Sequence, residues 1–160
     1  PIVVIHVTDR PFFNAAAIVT RQRLQSIGFN VVLKPMDWSS HLTARTRKDP
    51  PDKGGWNVLH TYWMAADVIS PAVHFGLSGA GSGAWFGWPD IPKLEELTTE
   101  WVRAADQAKR KQLAEEIQRV ALDEVAYVPW GEWSVPTAFR KNVQGVPKFV
   151  VPVFWNVKIV

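Results

Sequence analysis

The amino-terminal part of the chain alternates between β-type runs and one helix-type pattern. Residues 2–7 form an apolar run rich in β-branched side chains, and residues 29–35 form a second such run. Between them, apolar residues recur at helical spacing after Asn14, which is a favourable N-cap, and Gly28 ends that pattern. Two strands joined through one helix make a βαβ unit, so we expect the two strands to be parallel.

The pattern continues with a short helix and a third β-type run. We expect Ser39 or Ser40 to cap the short helix, and the Pro- and Gly-rich residues 48–55 to end it. Residues 56–63 are apolar on both alternating faces, which is typical of a strand in the centre of a sheet. A long connection, residues 64–89, follows, and we expect its Gly-rich residues 79–83 to be flexible. Connections of this length usually carry function or are disordered.

Two amphipathic helices come after the long connection. We expect the first to start near Pro92 with Asp90 as its cap. Their core-facing positions are Leu94, Leu97, Trp101 and Ala105 in the first helix and Leu113, Ile117, Val120 and Ala121 in the second. Residues 127–160 contain four prolines and a turn at residues 142–145, and they predict strand and loop. The whole pattern predicts an α/β fold, a mixed sheet flanked by helices.

Length, cysteine content and net charge each narrow the range of protein classes. A chain of 160 residues, 47% hydrophobic and 21% charged, is the size of one globular domain, and it contains no run of about 20 apolar residues that could cross a membrane. The absence of cysteine excludes disulfides, thiolate metal sites and a Cys nucleophile. A net charge of +3 is too small to indicate a polyanionic partner.

The motifs of common enzyme classes are missing from the sequence. Ser78 lacks one glycine of a nucleophile elbow and Ser82 lacks both, and no zinc-helix, Walker or dinucleotide motif occurs. A metal site of His60 with His74 is less favoured than ordinary strand and loop histidines, and carboxylate pairs such as Glu95-Glu96 predict solvated helix faces. We therefore expect a protein that is not an enzyme, with no catalytic residue, metal, cofactor or nucleic-acid partner.

Tryptophan is the unusual feature of the composition. Nine Trp accompany eight Phe and two Tyr, and Trp is common where ligands or partners dock. Ligands of open α/β sheets collect beyond the carboxyl ends of strands, and the third β-type run ends at Trp63. The connection after it adds Asp67, Ser70, Trp85 and Phe86, which suit an apolar pocket with orienting polar groups. Core roles are predicted for Trp56, Trp101 and Trp155, whereas Trp38, Trp88 and Trp133 are left undecided.

Six motifs follow one another in an order that resembles a known family. They are residues 23–31, similar to Q-x-L-x-x-I-G-I-x-V; residues 62–71, similar to W-x-x-D…D-P; residues 88–94, similar to N-P-E-x-D-x-L; residues 108–118, similar to R-x-x-x-Y-x-x-x-Q; residues 126–130, similar to A-P-x-I-P-L; and residues 143–145, similar to V-x-G. The family is that of bacterial extracellular solute-binding proteins of the oligopeptide, dipeptide and nickel type, which serve ABC importers, and the resemblance is to their carboxy-terminal lobe.

The resemblance implies a type II periplasmic-binding-protein lobe, which is half of a clamshell. Residues 1–160 would be a single α/β lobe of a two-lobed, exported protein, with a signal peptide and an amino-terminal lobe before Pro1 and with ABC permease subunits as membrane partners. A peptide or other small solute would bind between the lobes, so we expect this lobe alone to bind it poorly. Ser70-Pro71 stands where peptide binders of the family often have Asp-Pro, which leaves Asp67 to pair with a ligand amine.

These considerations lead to one set of ligand-binding residues. The set is Trp63, Met64, Asp67, Ser70, Trp85, Phe86 and Trp130. Trp63, Trp85 and Trp130 would supply apolar walls, and Asp67 and Ser70 would orient a polar group of the solute. The alternative is a small aromatic-rich interaction domain whose exposed Trp surface docks a protein partner.

Overall fold

The computed structural model describes residues 1–149 and 151–160, and these residues form two compact units, Pro1–Tyr62 and Trp63–Val160. The chain mixes helices and strands, as the predicted α/β class requires. The first unit contains β1 (Ile2–Val7), α1 (Pro11–Ser26), β2 (Val31–Met36) and α2 (Trp38–Ala44). The second contains α3 (Pro92–Arg103), α4 (Gln107–Asp123), β3 (Val143–Gln144) and β4 (Lys158–Ile159).

The predicted βαβ unit is confirmed in the first unit. Strands β1 and β2 pair in parallel, in a register that runs from Ile2 opposite Val31 to Val7 opposite Met36. The helix between them stops just before Gly28, whose φ of +94° is a left-handed conformation that glycine adopts at no steric cost. The local pattern of apolar residues was therefore sufficient to predict this part of the fold.

The predicted caps of the two helices in this unit are wrong. Helix α1 starts at Pro11 rather than after Asn14, because proline already has a helical φ and lacks the N–H that a first-turn residue would leave unpaired. Asn14 instead places its side-chain oxygen against Nε2 of His6. Helix α2 is capped by Asp37, whose carboxylate accepts the backbone N–H of Ser40 at 3.0 Å, and not by Ser39 or Ser40.

The predicted central strand at residues 56–63 is also wrong. Among the residues that the structure describes, this segment contributes one parallel bridge, between Val58 and Val4. The side chain of Asn57 accepts the backbone N–H of Val3 at 2.8 Å, where a ladder would use a backbone carbonyl. A side chain thus replaces a backbone group at the start of the ladder, and the pairing does not extend into a strand.

Strand β1 is covered on both faces, because its alternate side chains enter different apolar clusters. Val4 packs with Ala17 and Val31, whereas Ile5 and Val7 pack with Phe13. Trp38 and Trp56 lie against the second of these clusters, so the prediction of a core role for Trp56 is confirmed and the place of Trp38 is settled.

Helices α3 and α4 build the core of the second unit. The predicted inward positions are buried, with Leu94 at 0% and Ile117 at 1% exposure, and Trp101 packs against them. Ala104 rather than Ala105 completes this face, because α3 ends at Arg103. The predicted cap Asp90 is wrong, since Ile91 precedes the helix and Pro92 begins it.

The described residues after α4 contain one short pair of strands. Strands β3 and β4 are antiparallel, with Val143 opposite Ile159. The predicted turn at residues 142–145 is therefore wrong at Val143 and Gln144, which pair in β3, and Gly145 after them has a φ of +75°. Trp155 is 76% exposed, so its predicted core role is wrong for this chain. Within residues 1–149 and 151–160, no helix combines the length and apolar character needed to cross a membrane.

Candidate functional site

Four ring side chains of the second unit meet around Trp63. The ring centroid of Trp63 lies 5.2 Å from that of Trp85, 5.5 Å from that of His74 and 5.9 Å from that of Tyr127. The ring planes are inclined by 61° to 81°, the edge-to-face arrangement in which ring quadrupoles attract. We call Trp63, His74, Trp85 and Tyr127 the aromatic cluster. All four are half-buried, so each keeps some surface towards solvent.

A glycine allows the aromatic cluster to close. Gly76 is buried, and a Cβ atom at this position would lie 3.0 Å from Cε1 of His74, 3.1 Å from Cη2 of Trp63 and 3.1 Å from Cδ1 of Tyr127. These distances are shorter than ordinary van der Waals contacts, so any larger residue would push the rings apart. The position of the rings is therefore fixed by close packing.

Two hydrogen bonds hold His74 within the cluster. Its Nδ1 atom accepts the backbone N–H of Gly76 at 3.1 Å, and its Nε2 atom lies 3.1 Å from Oη of Tyr127. Burial lowers the pKa of His74 and raises the pKa of Tyr127, so both side chains are uncharged at neutral pH.

Backbone hydrogen bonds join the two ends of the loop, residues 79–91, that carries Trp85. The backbone N–H of Ile91 donates to the carbonyl of Gly79 at 2.9 Å, and that of Gly81 donates to the carbonyl of Pro89 at 3.0 Å. The backbone N–H of Gly79 in turn donates to Oε1 of Glu95 at 2.7 Å. A hydrogen bond thus holds the start of the Gly-rich segment, residues 79–83, against the first turn of α3. Glu95 accepts this bond, so it is not only a solvent-exposed charge of the helix.

The tip of this loop is a tight turn rich in aromatic residues. The Phe86 ring lies 4.9 Å from that of Trp85 and 6.5 Å from that of Trp88, centroid to centroid. Trp88 donates its backbone N–H to the carbonyl of Trp85 at 2.8 Å, and both Gly87 and Trp88 have positive φ values. Trp88, undecided from the sequence, therefore belongs to the loop that presents Trp85.

The polar residues of the predicted site lie on short turns just after Trp63. Asp67 sits in the 3₁₀ turn Ala65–Val68, and its carboxylate is exposed and has no hydrogen-bond or ionic partner among the described residues. The carbonyl of Ser70 accepts the backbone N–H of His74 at 3.2 Å, so Ser70 helps to place the histidine. Met64 is 45% exposed at the start of this segment.

The structure thus brings together part of the predicted set. The rings of Trp63 and Trp85 are in contact, and the ring of Phe86 contacts that of Trp85. Trp130 follows Tyr127 by three positions and is 51% exposed. The assignment of all seven residues as ligand-binding stays a prediction.

Sequence reasoning missed His74 and Tyr127 as members of the site. They lie far from each other along the chain, so no local spacing connects them. The available signals were the place of Tyr127 within the motif of residues 126–130 and a glycine two positions after His74. Both ring nitrogens of His74 have protein partners, and no group of three potential metal ligands occurs in the part of the chain that the structure describes.

A second set of titratable side chains lies in the first unit. His41 has no exposed surface and stacks on Trp38 at 5.0 Å between ring centroids. Nε2 of His60 lies 2.8 Å from Oγ1 of Thr20. Burial, with a smaller contribution from His41, lowers the pKa of His60 to about 4, and burial, with a smaller contribution from Arg45, lowers that of His41. Both histidines are neutral at neutral pH.

Comparison with known proteins gives one informative similarity. No protein-family model matches the chain. The chain is 32% identical over 98% of its length to a "probable peptide ABC transporter periplasmic-binding protein" of Sinorhizobium fredii. It spans 30% of the length of that relative. The resemblance inferred from the motifs is confirmed by this similarity, and the name of the relative is that of a binding protein rather than an enzyme.

Proposed function

We propose that this chain is a lobe of a type II solute-binding protein that serves an ABC importer. The observation that carries the proposal is the aromatic cluster of half-buried rings, since the chain that leaves Trp63 carries the exposed carboxylate of Asp67 four residues later. An apolar surface with a few orienting polar groups is the usual composition of a small-molecule site. The similarity to a periplasmic peptide-binding protein over nearly the whole chain supports the same function.

The proposed ligand is a short peptide or a solute that resembles one. Trp63, Trp85 and Trp130 would contact its apolar groups, and Phe86 and Met64 would extend that surface. The carboxylate of Asp67 would pair with a ligand ammonium, and Ser70 would contribute a polar contact. This pairing compensates for the Asp-Pro that the sequence lacks at Ser70-Pro71.

The remainder of the proposal concerns the whole protein. A second lobe would close over the ligand and exclude water, which strengthens the polar contacts inside the cleft. The closed form would then deliver the solute to ABC permease subunits in the membrane. The protein would be exported to the periplasm, and it would carry out no chemical reaction and need no cofactor.

Calorimetric titration of the complete gene product with trialanine and with N-acetyl-trialanine tests the proposal. We expect saturable binding of trialanine and weaker binding of the acetylated peptide, because acetylation removes the ammonium. Asp67→Asn should remove that difference, and Trp63→Ala should abolish binding. Trp155→Ala is the matched control and should bind as the wild type does. Absence of binding by the wild type to either peptide would overturn the peptide assignment.

The alternative function is a protein-interaction domain. Exposed large apolar side chains along residues 128–160 support it, among them Phe154 at 79% and Trp155 at 76% exposure. The same titration distinguishes the two functions. Retention of a partner protein by the wild type but not by Phe154→Ser, together with no peptide binding, would favour the alternative.

A further inference from the structure

The hydrogen bonds of His74 determine where its proton lies. The backbone N–H of Gly76 donates to Nδ1, so Nδ1 is the unprotonated nitrogen. A neutral imidazole then carries its single proton on Nε2, the atom 3.1 Å from Oη of Tyr127. The imidazole is therefore the donor in this contact, and the phenol oxygen is the acceptor.

This direction leaves the phenol proton of Tyr127 available. Because Oη accepts from His74, its own O–H points away from the imidazole and can donate to a different acceptor. The phenol keeps this proton at neutral pH, since burial raises the pKa of Tyr127. The O–H of Tyr127 is half-buried and has no acceptor on its imidazole side. A hydrogen bond to an oxygen of a bound ligand would therefore stabilise the complex.

We propose that Tyr127 donates a hydrogen bond to a carbonyl or carboxylate oxygen of a ligand that lies against Trp63, and that His74 is the positioning residue that directs this donor. The inference rests on the proposed solute-binding function and deepens it. Gly76 completes the arrangement, because its backbone holds Nδ1 and its missing side chain lets both rings approach.

The two polar groups of the site would then have opposite requirements. Asp67 offers a negative charge to a cationic group, whereas Tyr127 offers a proton to an oxygen. A ligand with an ammonium and a nearby carbonyl or carboxylate, as in peptides and amino-acid derivatives, satisfies both groups. A hydrocarbon or a simple amine satisfies at most one of them.

Nitrogen-15 NMR of the histidine rings in the complete gene product tests the first step. At neutral pH we expect His74 to show a protonated Nε2 and an unprotonated Nδ1, with the assignment made by comparison with His74→Gln. A proton on Nδ1 would reverse the contact with Tyr127 and would overturn the proposal.

Titration of variants with trialanine tests the second step. Tyr127→Phe removes only the hydroxyl and should weaken binding about 3- to 10-fold, the effect of losing one hydrogen bond. His74→Leu should weaken binding by a similar factor, and the double variant should lose little more. His74→Gln, whose amide can still donate to Oη, should restore part of the affinity.

The outcomes separate this inference from the proposed function. Unchanged affinity in Tyr127→Phe, with binding lost in Trp63→Ala, would overturn the role of Tyr127 and leave the solute-binding function in place. A wild-type protein that binds no peptide would overturn the peptide assignment and, with it, the proposed ligand contact of Tyr127. Equal losses in His74→Leu and His74→Gln would refute the positioning role of His74.

Discussion

The carboxylate of Glu95 accepts the backbone N–H of Gly79 at 2.7 Å and lies 3.3 Å from the hydroxyl oxygen of Ser78. Glu95 belongs to the first turn of α3, whose apolar face is buried in the core of the second unit. One helix thus anchors the base of the loop that carries Trp85. Trp85, a proposed ligand contact, lies on a loop, but α3 holds that loop in place.

Glu95→Ala should loosen this loop and lower the free energy of unfolding by about 1 kcal/mol, because the N–H of Gly79 loses its acceptor. Urea unfolding followed by tryptophan fluorescence measures the change. The neighbouring Glu96 provides a matched control, since it forms an exposed ion pair with Lys93 at 3.0 Å. Glu96→Ala should change the free energy of unfolding much less, because the ion pair that it removes is exposed to solvent. Equal effects of the two variants would contradict the anchoring role of Glu95.

Gly76→Ala should disturb the aromatic cluster directly. The added methyl group would meet three rings at 3.0 to 3.1 Å, and such overpacking typically costs about 1 to 3 kcal/mol. The exciton signal between Trp63 and Trp85 in circular dichroism should decrease, because the rings must separate.

Gly83→Ala is the control for this substitution. A Cβ atom at Gly83 would have the Ala80 Cβ atom, at 3.9 Å, as its nearest neighbour, and the φ of Gly83 is not positive. Its exciton signal should match that of the wild type. A Gly76→Ala protein with an unchanged signal and unchanged stability would show that the rings are not closely packed around this glycine.

The parts of the fold that the sequence predicted are those determined by neighbouring residues. Helical spacing placed Leu113 and Ile117 in the core, and two β-branched runs around a helix were sufficient for the parallel pairing of β1 and β2. These patterns depend on residues within one or two turns of each other, so a single sequence contains them.

The errors arose where a side chain competed with the backbone or where distant residues met. Asn57 resembles any polar residue of a strand, but its side chain takes a backbone N–H and interrupts the ladder. The aromatic cluster joins Trp63 to Tyr127 across α3 and α4, and no periodicity records such a contact. Residue type indicated aromatic recognition, whereas the partners required the three-dimensional structure.

The buried histidines of the first unit should make stability depend on pH. The pKa of His60 is lowered from 6.5 to about 4, so the unfolded chain binds a proton in a range where the folded protein does not. The stabilisation is complete above pH 6.5 and is lost as the pH falls from 6.5 towards about 4. A shift of this size corresponds to at most about 3 kcal/mol, and solvent access reduces it to roughly 2 kcal/mol. The lowered pKa of His41 acts in the same direction.

Urea unfolding across this pH range measures the effect. His60→Gln can still bond to Thr20 but cannot titrate, so its free energy of unfolding should fall less steeply with acid than that of the wild type. Gln118→His is the matched control, because it adds a histidine at an exposed position of α4 and should leave the slope unchanged. Identical slopes for the wild type and His60→Gln would show that His60 does not carry the dependence.

The residue after the last turn of α4 offers a stabilising substitution. Val125 has a φ of +53°, a left-handed conformation that a β-branched side chain disfavours and that glycine adopts easily at the end of a helix. Its side chain is 61% exposed, so little packing is lost with it. Val125→Gly should therefore raise the free energy of unfolding by about 1 kcal/mol.

Val102 is the control for this substitution, because it is similarly exposed but lies within α3. Val102→Gly should lower stability by roughly 0.5 kcal/mol, because glycine is a poor helix former. Thermal unfolding of both variants measures the contrast, and a loss of stability in both would show that the backbone at Val125 is not strained.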